Sequence, residues 1–160
     1  MKGREHEKKT AVFLLLTAPA AGLLFSEPAQ GVAGYMAGGV LGALWLSPDL
    51  DLEDSRPSRR WGLLRVLWAP YRAFHPHRGA SHSYLYGPLS RLLYLLLLVL
   101  LLGGLGGVAP KESLSFFGQA FSKSPDFFAS ALLGYLVSQW AHSFQDGVPL
   151  RRASRRRTPR

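Results

Sequence analysis

The chain has 160 residues, of which 48% are apolar, and its 19 Lys and Arg residues against ten Asp and Glu residues give a formal net charge of +9. This length suits one domain with a modest core and excludes two. The sequence contains no cysteine, which excludes disulfides and thiolate chemistry, so any metal ion must be held by nitrogen and oxygen ligands. Apolar and basic residues are segregated into blocks, which fits neither a disordered chain nor an ordinary soluble domain.

Four apolar segments, at residues 11–26, 31–47, 86–108 and 127–143, each approach the length that crosses a bilayer core of about 30 Å. The first follows a charged start typical of a signal peptide, but Glu5 and Glu7 interrupt that start and no clear cleavage site follows. We predict a retained helix, with a cleaved signal as the alternative. The second segment is rich in Gly and Ala, which favours close helix packing over lipid contact. Buried helices of a compact all-α domain are the alternative for both segments.

The basic residues indicate how these segments are oriented. Seventeen of the 19 Lys and Arg residues lie before the first segment, between the second and third, or after the fourth, when Arg91 near the start of the third is counted with the central loop, whereas Lys111 and Lys123 lie in the other connections. This bias predicts an all-α, four-helix transmembrane bundle in the inner membrane, with both termini in the cytoplasm and short outer loops. Residues 1–147 would form this domain, and residues 148–160 a disordered basic tail. The tail favours anionic lipid over nucleic acid as its contact.

The central loop contains a candidate fifth helix at residues 60–74. Trp61, Leu64, Leu67, Trp68 and Tyr71 recur at spacings of three and four, and arginines lie elsewhere around the helix. This pattern predicts a basic amphipathic helix in the lipid headgroup layer. Packing on the protein's own core is the alternative.

Seven histidines and aspartates lie near the predicted cytoplasmic helix ends, although the charge count that set the topology used neither residue type. They are His6, Asp49, Asp51, His77, His82, His142 and Asp146. His142 and Asp146 are four residues apart, so about 40° separates them on a helix and they share one face, as does Gln139. Gly79 permits a turn between His77 and His82, so that His82 would begin the third helix. His75, separated from His77 by Pro76, is interpreted as a loop or interface residue.

Four imidazoles and three carboxylates are more ligands than one zinc ion needs. They suit two or three divalent ions of the Zn, Mn or Fe type. Each motif alone is weak, because a single Asp-x-Asp is usually a solvated turn and a single histidine at a helix end is usually structural. The prediction of a metal site therefore depends on the combination.

The ordered motifs "SPDLD", "RWGLLRVLWAPYR", "HRGASHS" and "HSFQD", together with His6, resemble a family of small bacterial predicted metal-binding membrane proteins of unknown function. That family is similar to inner-membrane predicted metal-dependent hydrolases and, more distantly, to the zinc-dependent phospholipase C and P1 nuclease group. The resemblance covers about residues 4–147 and implies that the same seven histidines and aspartates are metal ligands. The basic tail lies outside it.

These observations predict a membrane-bound metal-dependent hydrolase acting on a phosphoester of a lipid or lipid-linked molecule. In this hypothesis Arg78 binds the phosphate, and Asp51 or Asp146 is the general base. The alternative is a non-enzymatic protein in which metal ions hold the helix ends together. A metal transporter is less favoured, because the ligands lie at one face and not at the middle of the bilayer. The oligomeric state is left open.

Overall fold

In a computed structural model of the chain, residues 3–75 and 83–148 are described. Every regular element in these ranges is helical, which confirms the all-α prediction. The α-helices are α1 (Gly3–Gly22), α2 (Pro28–Leu44), α3 (Arg56–Arg60), α4 (Ala69–Phe74), α5 (Tyr86–Leu105), α6 (Pro110–Lys123) and α7 (Pro125–Gln145). Two 3₁₀ helices cover Pro48–Asp51 and Gly62–Trp68.

The centre of the fold is the contact between α2 and α7, with α1 against both. Small residues let the two backbones approach closely, as the Gly-rich composition of the second segment predicts. A Cβ atom added at Gly38 would lie 1.8 Å from the Ala131 carbonyl oxygen, and one added at Gly134 would lie 2.0 Å from that of Tyr35. Because neither position has space for a methyl group, glycine sets the distance between these helices.

Hydrogen bonds show which helix ends lie together. At one end of the molecule the Glu27 backbone N–H donates to the Asp126 carboxylate at 2.7 Å. At the other end Gln145 donates to the Thr10 hydroxyl at 2.9 Å. The start of α1 therefore lies beside the end of α7, so α1 runs antiparallel to α7, whereas α2 and α7 run parallel.

Helix α5 joins this core through buried polar groups. Arg91 is fully buried and donates to the Gln139 side chain at 2.8 Å, and the Gln139 amide in turn donates to the Gly42 carbonyl at 3.0 Å. The Tyr135 hydroxyl donates to the Pro88 carbonyl at 3.0 Å. Arg91, counted in the sequence as a cytoplasmic basic residue, is thus part of the core. Gln139 is part of the same hydrogen-bonded group, through Arg91 and Gly42.

Several sequence predictions need correction. Of the described helices only α5 is long and apolar enough to cross a membrane, so a four-helix transmembrane bundle is not established. Residues 110–123, within the short outer loop predicted between the third and fourth segments, form helix α6, whose first residue Pro110 suits a helix start. The third helix begins at Tyr86 and not at His82.

The predicted amphipathic helix at residues 60–74 is wrong as a single α-helix. Gly62 has a positive φ of 56°, and the chain continues as a 3₁₀ helix and then α4. Trp68 and Tyr71 are buried in a cluster with Leu46, Leu50 and Tyr135, as the core-packing alternative predicted. Leu63 is 95% exposed and Val66 is 65% exposed, so the segment also presents an apolar surface.

Candidate metal centre

Four of the predicted ligands meet at the end of the molecule where α1 begins and α7 ends. The His142 Nε2 atom lies 3.2 Å from an oxygen of Asp146 and 3.5 Å from an oxygen of Asp49. The His6 Nδ1 atom lies 3.6 Å from the other Asp146 oxygen. The two imidazole rings are 5.3 Å apart between centroids. Three separate elements, α1, the first 3₁₀ helix and α7, therefore supply one cluster.

Each of these side chains is placed by its local structure. Helical spacing brings His142 and Asp146 together, as the sequence predicts. Asp49 lies in the 3₁₀ helix that follows α2. Pro48, directly before it, occupies the first position of this helix, where proline is favoured. His6 lies in the first turns of α1 and is 4% exposed, whereas the side chains of Asp49 and Asp146 are 29% and 32% exposed. The cluster thus has a buried imidazole side and a solvent-accessible carboxylate side.

The electrostatics differ between the two histidines. Burial by itself would lower the pKa of His142, but the carboxylates of Asp146 and Asp49 outweigh it and raise that pKa to about 9. Burial and the neighbouring His142 lower the pKa of His6, against the opposing effect of Asp146. The contact with His142 also lowers the pKa of the Asp146 carboxyl. In the metal-free protein at neutral pH, a protonated His142 therefore lies between two carboxylates, beside a neutral His6.

The donor set fits a divalent metal ion. His6, His142 and Asp146 each offer one ligand atom, and these atoms lie within 4.8 Å of one another. The Nδ1 atom of His6 is buried without a hydrogen bond, which is the state expected of a nitrogen that receives a metal. Neutral imidazole and carboxylate are ligands typical of Zn, Mn and Fe. The residues present therefore fit a metal ion, and Asp49 adds a further oxygen donor.

The remaining predicted site residues fall in two groups. Asp51 lies in the same 3₁₀ turn as Asp49 and is buried, with 7% of its surface exposed. His77, Arg78 and His82 lie outside the described residues. His75, interpreted from the sequence as a loop or interface residue, stacks on Tyr71 with ring centroids 4.1 Å apart and is not part of the cluster.

Glu7 is a positioning residue that the sequence reasoning missed. Its carboxylate accepts hydrogen bonds from Arg56 at 2.7 Å and from Arg60 at 2.8 Å. Arg60 also donates to the Leu44 carbonyl at the end of α2, at 2.9 Å. Because Glu7 follows His6 directly, these bonds fix the start of α1 against α2 and α3. The available signal was the arginine-rich stretch after "SPDLD", which was attributed to membrane topology alone.

A cavity of about 270 Å³, with charged and hydroxyl side chains among its lining residues, adjoins the cluster. Asp49 and His142 line it, together with Ser47, Ser55 and Arg56. A small polar group could therefore reach Asp49 and His142 from this cavity.

A helical fold whose helix ends bring two imidazoles and two carboxylates together defines a candidate metal-binding protein. A family model described as "Uncharacterized metal-binding protein (DUF2227)" matches residues 1–156, and the chain belongs to this family. A relative from Aquifex aeolicus (strain VF5), described as an uncharacterized protein, is 42% identical over 122 residues, which cover 69% of this chain and 86% of the relative. No solved structure matches the chain. Neither description names an activity, so the predicted link to hydrolases stays a prediction.

Proposed function

We propose that this protein is a metal-dependent hydrolase that cleaves a phosphoester of a lipid or lipid-linked molecule at the inner membrane. The observation that carries the proposal is the meeting of His6, Asp49, His142 and Asp146 at one end of the fold, with the carboxylates accessible to solvent. A purely structural metal site is expected to be closed. Accessible ligands beside this cavity favour a site that also admits a substrate.

The chemistry follows from the donor set. His6, His142, Asp146 and Asp49 would hold the metal, which lowers the pKa of a bound water and neutralises charge on phosphoryl oxygens. In the reaction the water oxygen forms a bond to phosphorus, the ester P–O bond breaks, and the leaving alcohol takes up a proton. Asp51 or Asp146 is proposed as the general base that removes the proton from water. Arg78 is proposed to bind the phosphate through its planar guanidinium.

The membrane part of the proposal is supported by α5. Its 20 residues have the length and apolar composition of a membrane span, and only 11% of its most apolar window is buried inside the protein. The excess of basic residues at the ends that flank the cluster favours the cytoplasmic side for the site. The four-span arrangement stays a prediction.

The test is turnover by purified protein loaded with Zn, Mn or Fe, on a phosphomonoester and a phosphodiester. Asp49→Ala should abolish turnover while the protein stays folded, and His75→Gln is the matched control, because His75 lies outside the cluster. Turnover that survives Asp49→Ala, or that needs no metal, would refute the proposal. Tight metal binding that raises stability without any turnover would instead favour metal ions that hold the helix ends together.

A further inference from the structure

An apolar groove of about 740 Å³ runs along the surface between α1 and α7. Phe13 of α1 lies on one side, and Val137, Trp140 and Phe144 of α7 lie on the other. The Trp140 indole N–H donates to the Tyr84 carbonyl at 2.7 Å, which fixes the orientation of this ring. Phe13 is 48% exposed and Phe144 is 76% exposed, so the described residues leave the groove open. Exposed apolar surface of this kind is typical of sites that contact proteins, membranes or apolar ligands.

The groove leads to the candidate metal centre along both helices. On α1, Phe13 lies seven residues after His6, which is about two turns, or roughly 10 Å, along nearly the same face. On α7, Ala141 and Gln145 line the groove and directly precede His142 and Asp146, and because neighbouring residues of a helix are about 100° apart, the groove and the cluster lie on different faces at the end of this helix. Since His6 and Asp146 are 3.6 Å apart, the groove ends within about one turn of the same cluster along both helices.

The charge at the groove fits an anionic headgroup. Lys9, one turn from His6, lines the groove between its apolar part and the cluster. A lysine can cover apolar surface with its methylene chain while its ammonium stays at the polar end. A larger apolar groove, between α4 and α5, has a volume of about 1140 Å³. Among the described residues, no Lys, Arg, Asp or Glu lines it. The α1–α7 groove therefore differs from general lipid-facing surface.

We infer that the α1–α7 groove binds an acyl chain of the substrate, so that the phosphate of an anionic lipid reaches the metal centre with Lys9 beside it. This inference rests on the proposed hydrolase function for the fate of the headgroup. The substrate class is then a lipid whose phosphoester lies close to an acyl chain. A water-soluble phosphoester would lack the groove contacts and would be a poor substrate.

The binding test uses a lysophosphatidic acid with a photoactivatable diazirine in its acyl chain, added to the protein in nanodiscs of neutral lipid. Labelled residues are mapped by mass spectrometry. Labelling should concentrate at Phe13, Trp140 and Phe144. Ala141→Phe should reduce it about tenfold, as expected if the new ring excludes about two methylene groups from the groove. Leu97→Phe, on α5, is the matched control and should leave groove labelling unchanged. Unchanged metal content shows that both variants are folded.

The outcomes separate this inference from the proposed function. Equal labelling of the groove and of α5, or groove labelling that Ala141→Phe leaves intact, would overturn the acyl site whatever the turnover. Groove labelling without hydrolysis by the metal-loaded protein would support the acyl site and refute the hydrolase. Lys9→Gln should weaken labelling by lysophosphatidic acid and not by a neutral monoacylglycerol probe. An equal loss with both probes would contradict the role of Lys9.

Discussion

Glu7→Gln should lower the free energy of unfolding of the metal-free protein by about 1–3 kcal/mol. The Glu7 carboxylate is 17% exposed and accepts three hydrogen bonds, at 2.7, 2.8 and 3.0 Å, from Arg56 and Arg60. A hydrogen bond to a charged group contributes about 1.5–3 kcal/mol when it is buried. The Arg56 and Arg60 side chains are 41% and 25% exposed, so solvent screening reduces the sum.

The assay is denaturant unfolding of the wild type, Glu7→Gln, Arg60→Gln and the double variant. A coupling energy of about 1 kcal/mol or more between Glu7 and Arg60 is expected, because Arg60 is the less exposed partner. Glu5→Gln is the matched control. The Glu5–Lys8 pair is 3.6 Å apart with side chains 53% and 72% exposed, and such surface pairs contribute well under about 1 kcal/mol.

The reasoning also predicts a functional effect. Because Glu7 follows His6 and holds the start of α1, Glu7→Gln should weaken metal binding, whereas Glu5→Gln should not. A Glu7→Gln variant as stable as Glu5→Gln, or a coupling energy near zero, would show that these ion pairs do not fix the start of α1.

Three further measurements test the site and the fold. Metal at a hundred times its Kd should raise the free energy of unfolding by about 2.7 kcal/mol. His142→Ala should remove this stabilisation, and His75→Gln should preserve it. Equal stabilisation by metal in both variants would place the metal elsewhere. Because the pKa of His142 is about 9 in the metal-free protein, metal binding at pH 7.5 should release a proton from this ring. Calorimetry in buffers of different ionisation enthalpy measures this release. Metal affinity should rise with pH up to about 9. By the same linkage the raised pKa stabilises the metal-free protein fully below pH 6.5, and this contribution is lost as the pH rises through about 9. Gly134→Ala should destabilise the protein by about 1–3 kcal/mol, because its Cβ would lie 2.0 Å from a backbone oxygen of α2. The matched control is Gly118→Ala on exposed α6, where a Cβ meets nothing within 4 Å. This control should be neutral or stabilising by up to about 1 kcal/mol. Thermal unfolding that ranks these two variants the other way would contradict the close helix contact.

Apolar runs, glycine spacing and the His142–Asp146 interval could be read from the sequence because their consequences are local. A long run of apolar residues predicts a helix whatever that helix packs against. Residues four apart share a face in any α-helix. The family assignment agrees with the metal-binding prediction that these motifs supported.

The failures have a common physical cause. Gly62, with its positive φ, interrupts a periodicity that otherwise predicts one continuous helix over residues 60–74. Residues 110–123 fall between two apolar segments and were predicted as part of an outer loop, yet they form α6, with most of their polar residues on one face and Leu114, Phe117 and Phe121 on the other. In both segments a pattern in the sequence was compatible with two backbones, and the local conformation decided between them.

The sequence by itself determined the class of secondary structure, the residue types available for a metal and, for His142 and Asp146, their shared face at a helix end. Only the tertiary structure decided that His6 and Asp49 reach His142, that Glu7 fixes the start of α1, and that Arg91 is buried against Gln139. Contacts between distant residues depend on how closely helices approach and in which rotation they pack. In this protein the α2–α7 glycine contacts set that approach, and no periodicity within a single helix encodes it.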